Sequence, residues 1–117
     1  MAYKFPLSYD SWDHEEKEAI FDVVKDGFFT MGKKVKKFEE EFANYVGSKY
    51  AVMVNSGSSA NLLMVASLFY TKDNKIKLKR GDEVIVPAVS WSTSYYPLYQ
   101  YGLKIRFVDV DLQTLNY

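Results

Sequence analysis

The sequence contains no cysteine and a single histidine, His14. The lack of thiols excludes disulfide bonds, thiolate metal sites and cysteine nucleophiles, and one histidine cannot supply a multi-histidine metal centre. We therefore expect no metal ion, and we assign any chemistry to other side chains or to an organic cofactor.

Net charge and long apolar runs are missing as well. Fifteen basic side chains balance fifteen acidic ones, so the chain lacks the positive charge that binding to nucleic acid or to an anionic membrane surface requires. No run of about 18 apolar residues predicts a transmembrane helix, and the first residues lack the apolar segment of a signal peptide. These absences predict a cytoplasmic protein that binds neither nucleic acid nor membranes.

The 117 residues have the composition of a folded chain, with 48% hydrophobic and 26% charged side chains. Residues 11–26 show the spacing of an amphipathic helix, with Ser11 as the candidate N-cap and Gly27 at its end. A second helix is predicted over 33–46. The connector between them, Phe28 to Gly32, is unusually apolar, which is more typical of core packing than of a binding site.

After residue 47 strands and helices alternate. Short apolar runs at 50–54, 83–86 and 104–109 predict strands, and helices are predicted over 58–70 and about 93–101. This order indicates parallel β-α-β units, in which the strands lie inside a sheet that is covered on both faces. The predicted fold class is α/β.

A turn of small polar residues, Asn55 to Asn61, follows the first predicted strand and enters a helix. Gly57 permits close approach of a ligand, and the free amides of the first helical turn, with the hydroxyls of Ser58 and Ser59, can donate to a phosphate group. The alternative is that Ser56 or Ser58 only caps the helix. The spacing is that of neither a P-loop nor a dinucleotide-binding glycine fingerprint.

Trp91 follows the second predicted strand and stands among small hydroxyl residues. Its indole can present a flat face to an aromatic ligand, or it can pack in the interior. Because the carboxyl ends of parallel strands meet at one edge of a sheet, we expect Trp91 to lie near the turn at Gly57. The combination suits a small aromatic ring that carries a phosphate, such as pyridoxal phosphate.

Segments along nearly the whole chain resemble the DegT/DnrJ/StrS-type sugar aminotransferases. They are Phe29 to Gly32, Phe38 to Ala43, Asn55 to Ser58, Gly81 to Pro87 and Phe107 to Asp111. Two further segments, Ser58 to Met64 and Ala88 to Leu98, resemble the branch of this family that removes a 3-hydroxyl group from the sugar.

The resemblance implies the aspartate-aminotransferase-like fold (fold type I of pyridoxal phosphate enzymes). Residues 1–117 would be its N-terminal segment and the first part of its large domain, a fragment of a longer chain. The implied cofactor is pyridoxal 5'-phosphate or pyridoxamine 5'-phosphate, and the implied substrate is a nucleotide-linked 4-keto-6-deoxyhexose. The expected enzyme is a homodimer that removes the C3 hydroxyl in deoxysugar biosynthesis for lipopolysaccharide O-antigen.

The resemblance also implies roles for particular residues. Gly57 and Ser58 would hold the cofactor phosphate, Trp91 would stack on the pyridine ring, and the sugar-nucleotide side would be lined by Phe29, Thr30 and Met31. The catalytic residue and the acidic partner of the pyridine nitrogen are expected beyond residue 117. A histidine there would indicate the dehydratase and a lysine a sugar-nucleotide aminotransferase. A third alternative is that the chain as it stands is a catalytically inert subdomain.

Overall fold

A computed structural model describes Phe5 and residues 8–117. The chain forms two compact units, residues up to Met53 and residues from Val54 onward. Its helices are α1 (His14–Asp26), α2 (Lys33–Val46), α3 (Gly57–Tyr70) and α4 (Tyr96–Gln100), its strands are β1 (Glu83–Pro87) and β2 (Lys104–Val108), and a 3-10 helix spans Ser92–Ser94. Within the described residues, no helix has both the length and the apolar character needed to cross a bilayer.

Helix α1 begins later than predicted, with Asp13 as its N-cap. The Asp13 carboxylate accepts the N–H of Glu15 at 2.8 Å, and the Glu16 carboxylate accepts the N–H of Asp13 at 2.9 Å. The prediction of Ser11 as the cap is wrong, because Asp13 has a glutamate three positions later to complete this reciprocal capping box, whereas Ser11 has His14 there. The predicted end at Gly27 is confirmed, with φ of 67°.

Helix α2 has the predicted bounds and ends at Gly47, which adopts φ of 72°. Its charged face is exposed and carries ion pairs one helical turn apart, such as Lys37 with Glu41 at 3.6 Å. Only Ala43 of this helix is buried among the described residues. The helix therefore lies on the surface of the first unit.

Residues 50–54 do not form the predicted strand. The N–H of Met53 donates instead to the side-chain carboxylate of Glu39 at 2.8 Å. A strand needs a neighbour whose backbone takes up its N–H and C=O groups, and apolar composition alone does not supply one. The described part of the chain pairs only β1 with β2.

The second unit contains the predicted parallel pair. Val84 lies opposite Ile105, and Val86 lies opposite Phe107. Val86 is buried, together with Val65 of α3, Pro97 of α4 and Leu103. The expectation that both faces of the sheet are covered does not hold for the described residues, because Ile85, which points to the opposite face, is 62% exposed.

An ion pair lies at the start of the sheet. Arg106 Nη2 is 3.0 Å from Glu83 Oε1 on the exposed surface. The hydrogen bond and the positive charge of Arg106 lower the pKa of Glu83, and the same contact raises the pKa of Arg106. Since Glu83 begins β1, this pair lies at the opposite end of the strand from the loop that carries Trp91.

Candidate functional site

The first turn of α3 shows which serine caps the helix. Ser56 Oγ accepts the N–H of Ser59 at 3.2 Å, and the Ser59 hydroxyl donates to Asn55 Oδ1 at 2.6 Å. The capping alternative is therefore correct for Ser56 and wrong for Ser58. The expectation that Ser59 offers its hydroxyl to a phosphate is also wrong, because Asn55 already accepts that hydrogen.

The turn at Gly57 and Ser58 offers unused donors. The two backbone N–H groups and the Ser58 hydroxyl have no acceptor within the described part of the chain. The first turn of α3 carries no acidic residue that would neutralise the positive end of the helix dipole. A Cβ built on Gly57 would meet no heavy atom within 4 Å. The turn therefore has space for an anionic group, and its free donors and the positive end of the helix dipole would attract one.

Trp91 lies just before the 3-10 helix and is 76% exposed. Its carbonyl accepts the N–H of Ser94 at 2.9 Å, and the hydroxyls of Ser90 and Ser94 are 3.1 Å apart. The backbone around Trp91 is thus ordered by local hydrogen bonds while its side chain stays exposed. Interior packing of the indole is not observed in the described part of the chain, and its flat face is open to a ligand ring.

A side-chain hydrogen bond joins α3 to the loop that carries Trp91. The Asn61 amide donates from Nδ2 to the carbonyl oxygen of Thr93 at 3.2 Å, in a partly buried position. Asn61 lies one turn after Ser58, and Thr93 lies two residues after Trp91. This bond therefore links the first turns of α3, which carry Gly57 and Ser58, to the loop that carries Trp91.

The base of the loop 88–94 is held by a second contact. The hydroxyl of Tyr95 donates to the carbonyl oxygen of Pro87 at 2.8 Å, and the Tyr95 ring packs edge-on against Phe107 with centroids 5.3 Å apart. The contacts of Asn61 and Tyr95 were not predicted from the sequence. A signal existed for Asn61, since it is an amide at the start of an otherwise largely apolar helical run, Asn61 to Tyr70.

A groove of about 660 Å³ lies in the first unit. It is formed by the end of α1, the connector and the start of α2, and it is lined by Val23, Asp26, Phe28, Phe29, Thr30, Gly32, Lys33, Lys34 and Val35. Phe29 and Thr30 thus share one groove as lining residues, whereas Met31 is not among them and is 68% exposed. The interpretation of the connector as core packing is not supported within the described residues, because Phe28 is 57% and Phe29 72% exposed.

Comparison with known proteins places this chain in one protein family. The DegT/DnrJ/EryC1/StrS aminotransferase family profile covers residues 10–117. The GDP-4-keto-6-deoxy-D-mannose 3-dehydratase of Yersinia pseudotuberculosis is 62% identical over 112 residues, which are 96% of this chain and 28% of that protein.

Solved structures agree with the sequence match. The E. coli GDP-4-keto-6-deoxy-D-mannose 3-dehydratase with bound hydrated pyridoxal phosphate superposes with a TM-score of 0.87 at 59% identity. A variant of GDP-4-keto-6-deoxymannose 3-dehydratase with bound GDP-perosamine superposes with a TM-score of 0.86 at 59% identity. In both cases the match covers 96% of this chain and 28% of the other. The chain belongs to the DegT/DnrJ/EryC1/StrS aminotransferase family.

Proposed function

We propose that the full-length protein to which these residues belong is a pyridoxal-phosphate-dependent GDP-4-keto-6-deoxy-D-mannose 3-dehydratase. The observation that carries the proposal is the 62% identity of the chain to an enzyme of that name. The unpartnered donors at Gly57 and Ser58 and the exposed indole of Trp91 support it, because they are groups that can bind a phosphate and an aromatic ring. Since the chain spans 28% of that relative, the activity is proposed for the full-length protein.

The residues present fit the phosphate and one ring face of the cofactor, as pyridoxal or pyridoxamine 5'-phosphate. The N–H groups of Gly57 and Ser58, with the Ser58 hydroxyl, would hold the phosphate, and Trp91 would cover one face of the pyridine ring and exclude water from it. When bound, the cofactor supplies an electron-withdrawing ring that stabilises the negative charge developing beside the substrate carbonyl carbon. This chain supplies binding and orientation for it.

The sugar-nucleotide side is proposed to be lined by Phe29, Thr30 and Met31. Phe29 and Thr30 line the groove of the first unit, and the exposed Met31 follows them directly. Lys33 and Lys34, which also line this groove, would add positive charge for a diphosphate. The apolar connector is then a contact surface for the substrate.

The remaining parts of the proposal concern the full-length protein. It would adopt fold type I as a cytoplasmic homodimer, and it would act in deoxysugar biosynthesis for lipopolysaccharide O-antigen. No catalytic residue is proposed within residues 1–117. The proton-transferring residue and the acidic partner of the pyridine nitrogen would come from the rest of the protein, so the chain alone should be inactive.

The product of the reaction tests the proposal. The full-length protein is incubated with GDP-4-keto-6-deoxy-D-mannose, pyridoxal phosphate and glutamate as the amino donor, and the sugar nucleotides are analysed by mass spectrometry. A product that has lost the C3 hydroxyl is expected. Accumulation of the 4-amino sugar nucleotide would show the aminotransferase instead, and no consumption of the substrate would contradict both activities.

Borohydride reduction gives an independent measurement. After reduction of the full-length protein with pyridoxal phosphate, a covalent cofactor adduct on lysine would indicate the aminotransferase. Retention of the amine form of the cofactor without such an adduct is expected for the dehydratase.

A further inference from the structure

The Asn61 amide is a polar group at the start of an apolar helix. From Leu62 onward α3 is largely apolar, and Ser67, a polar side chain farther along, donates back to the Met64 carbonyl of its own helix at 2.7 Å. Asn61, in contrast, donates to Thr93, 32 residues away. Its side chain is half-buried, so loss of the donor would leave the Thr93 carbonyl without this partner. The contact therefore serves the packing of the loop, beyond any role within the helix.

The position of this bond matters for a ligand whose two binding groups lie a fixed distance apart. Asn61 follows Ser58 by three residues and lies on the same face of α3. The Asn61–Thr93 bond therefore crosses between the turn that would hold the phosphate and the loop that carries Trp91. A ring and a phosphate joined in one small molecule have a fixed separation, and simultaneous contact with both requires that the protein fix the same separation in advance.

The loop has a second anchor that does not depend on Asn61. The Tyr95 hydroxyl holds the Pro87 carbonyl at 2.8 Å at the base of the loop. Loss of the Asn61 contact should therefore free the tip of the loop, including Trp91, while the base and the β1–β2 pair stay in place. This separates loop positioning from folding of the second unit.

We propose that Asn61 is a positioning residue, whose amide fixes Trp91 relative to the phosphate-facing turn at Gly57 and Ser58. The proposal rests on the proposed function, because it assumes that one cofactor uses both places. Asn61 itself need not touch the cofactor. Its amide acts by ordering the loop 88–94 before the cofactor arrives.

The first test uses the full-length protein without cofactor. Asn61→Leu removes the donor at similar size, and Asn61→Asp replaces the donor by an oxygen that faces the Thr93 carbonyl. Ser67→Ala is the matched control on the same helix, because its hydroxyl bonds only to Met64 among the described residues. Hydrogen–deuterium exchange of the peptide that covers 88–95 should rise several-fold in both Asn61 variants and stay unchanged in the control.

The second test adds pyridoxal phosphate. Loss of one hydrogen bond that orders the site should raise the dissociation constant of the cofactor by about tenfold. The visible circular dichroism of the saturated cofactor should also change in the Asn61 variants, because the indole no longer holds one orientation against the ring. Ser67→Ala should match the wild type in both measurements.

Three results would overturn the proposal. Unchanged exchange of the 88–95 peptide in both Asn61 variants would show that the bond does not order the loop, and an equal rise over the peptide 57–70 would show general destabilisation of α3 instead. Unchanged cofactor affinity and dichroism despite a freed loop would show that the loop does not serve the cofactor.

Failure of the wild-type protein to bind pyridoxal phosphate would refute the proposed function itself. This result is distinguishable, because the wild type is measured before any variant.

Discussion

The hydroxyl of Ser56 accepts the backbone N–H of Ser59 at 3.2 Å and thereby caps helix α3. This bond assigns different roles to two serines that flank Gly57 in the sequence. Ser56 serves the helix, whereas the Ser58 hydroxyl has no partner in the described part of the chain. Substitution of each serine should therefore affect a different property of the protein.

We predict that Ser56→Ala lowers the stability of the full-length protein by about 1 kcal/mol, because a capping bond is lost. Ser58→Ala should leave stability nearly unchanged and should weaken pyridoxal phosphate binding several-fold, because one donor to the phosphate is lost. Urea unfolding of the cofactor-free protein measures the first effect, and absorbance titration with the cofactor measures the second.

The two serine variants control for each other. A large loss of stability in Ser58→Ala would indicate that Ser58 caps the helix. Unchanged cofactor affinity in the same variant would remove its hydroxyl from the proposed phosphate site.

The second prediction concerns Gly32 at the start of α2. A Cβ built on Gly32 would lie 2.5 Å from the Phe28 ring, so Gly32→Ala must displace that ring. Because Phe28 lines the groove with Phe29 and Thr30, the displacement should raise KM for the sugar nucleotide several-fold with little change in kcat. Steady-state kinetics of the full-length protein measure both constants.

A double-mutant cycle shows whether Phe28 transmits the effect of Gly32. In the Phe28→Leu background the clash should be relieved, so adding Gly32→Ala should then change KM little. Equal effects of Gly32→Ala in both backgrounds would contradict this explanation, as would a fall in kcat at unchanged KM.

The third prediction is a pH dependence at Asp111. Its carboxylate accepts the N–H of Thr114 at 2.8 Å, the Thr114 hydroxyl at 3.1 Å and the N–H of Gln113 at 3.0 Å. These bonds, those from Thr114 foremost, lower the pKa of Asp111. The bonds favour the charged form, so they contribute to stability above the unfolded-state pKa, and that contribution is lost as the pH falls through the lower folded-state pKa.

Thr114→Val removes the hydroxyl donor and retains the backbone N–H. The pKa of Asp111 should rise toward its ordinary value in this variant. Carboxyl ¹³C titration by NMR of aspartate-labelled protein measures the pKa, with Asp111→Asn to assign the signal. The same pKa with and without the Thr114 hydroxyl would show that this bond does not persist in solution.

Helix bounds could be predicted where the local signals are strong. Gly27 and Gly47 are glycines that follow an apolar periodic segment, and both adopt the left-handed conformation that ends a helix. The start of α1 could not be placed to the residue, because Ser11 and Asp13 are both good caps. The choice depends on whether a glutamate stands three positions later.

Long-range features of the candidate site could not be predicted in the same way. Residues 50–54 have the composition of a strand, but a strand exists only with a hydrogen-bonded neighbour, which a local pattern does not reveal. The bond from Asn61 to Thr93 joins positions 32 residues apart and depends on how α3 packs against the 3-10 helix. The residue types at Gly57, Ser58 and Trp91 could be recognised, whereas the bond that links α3 to the loop carrying Trp91 could not.

Titration of the full-length protein with pyridoxal phosphate, followed by absorbance, tests the central claim most directly. The wild type should bind the cofactor saturably, Trp91→Ala should bind it about tenfold more weakly, and Trp91→Phe should retain most of the affinity because a flat aromatic face remains. Equal affinity of the wild type and Trp91→Ala, or no saturable binding by the wild type, would contradict the account.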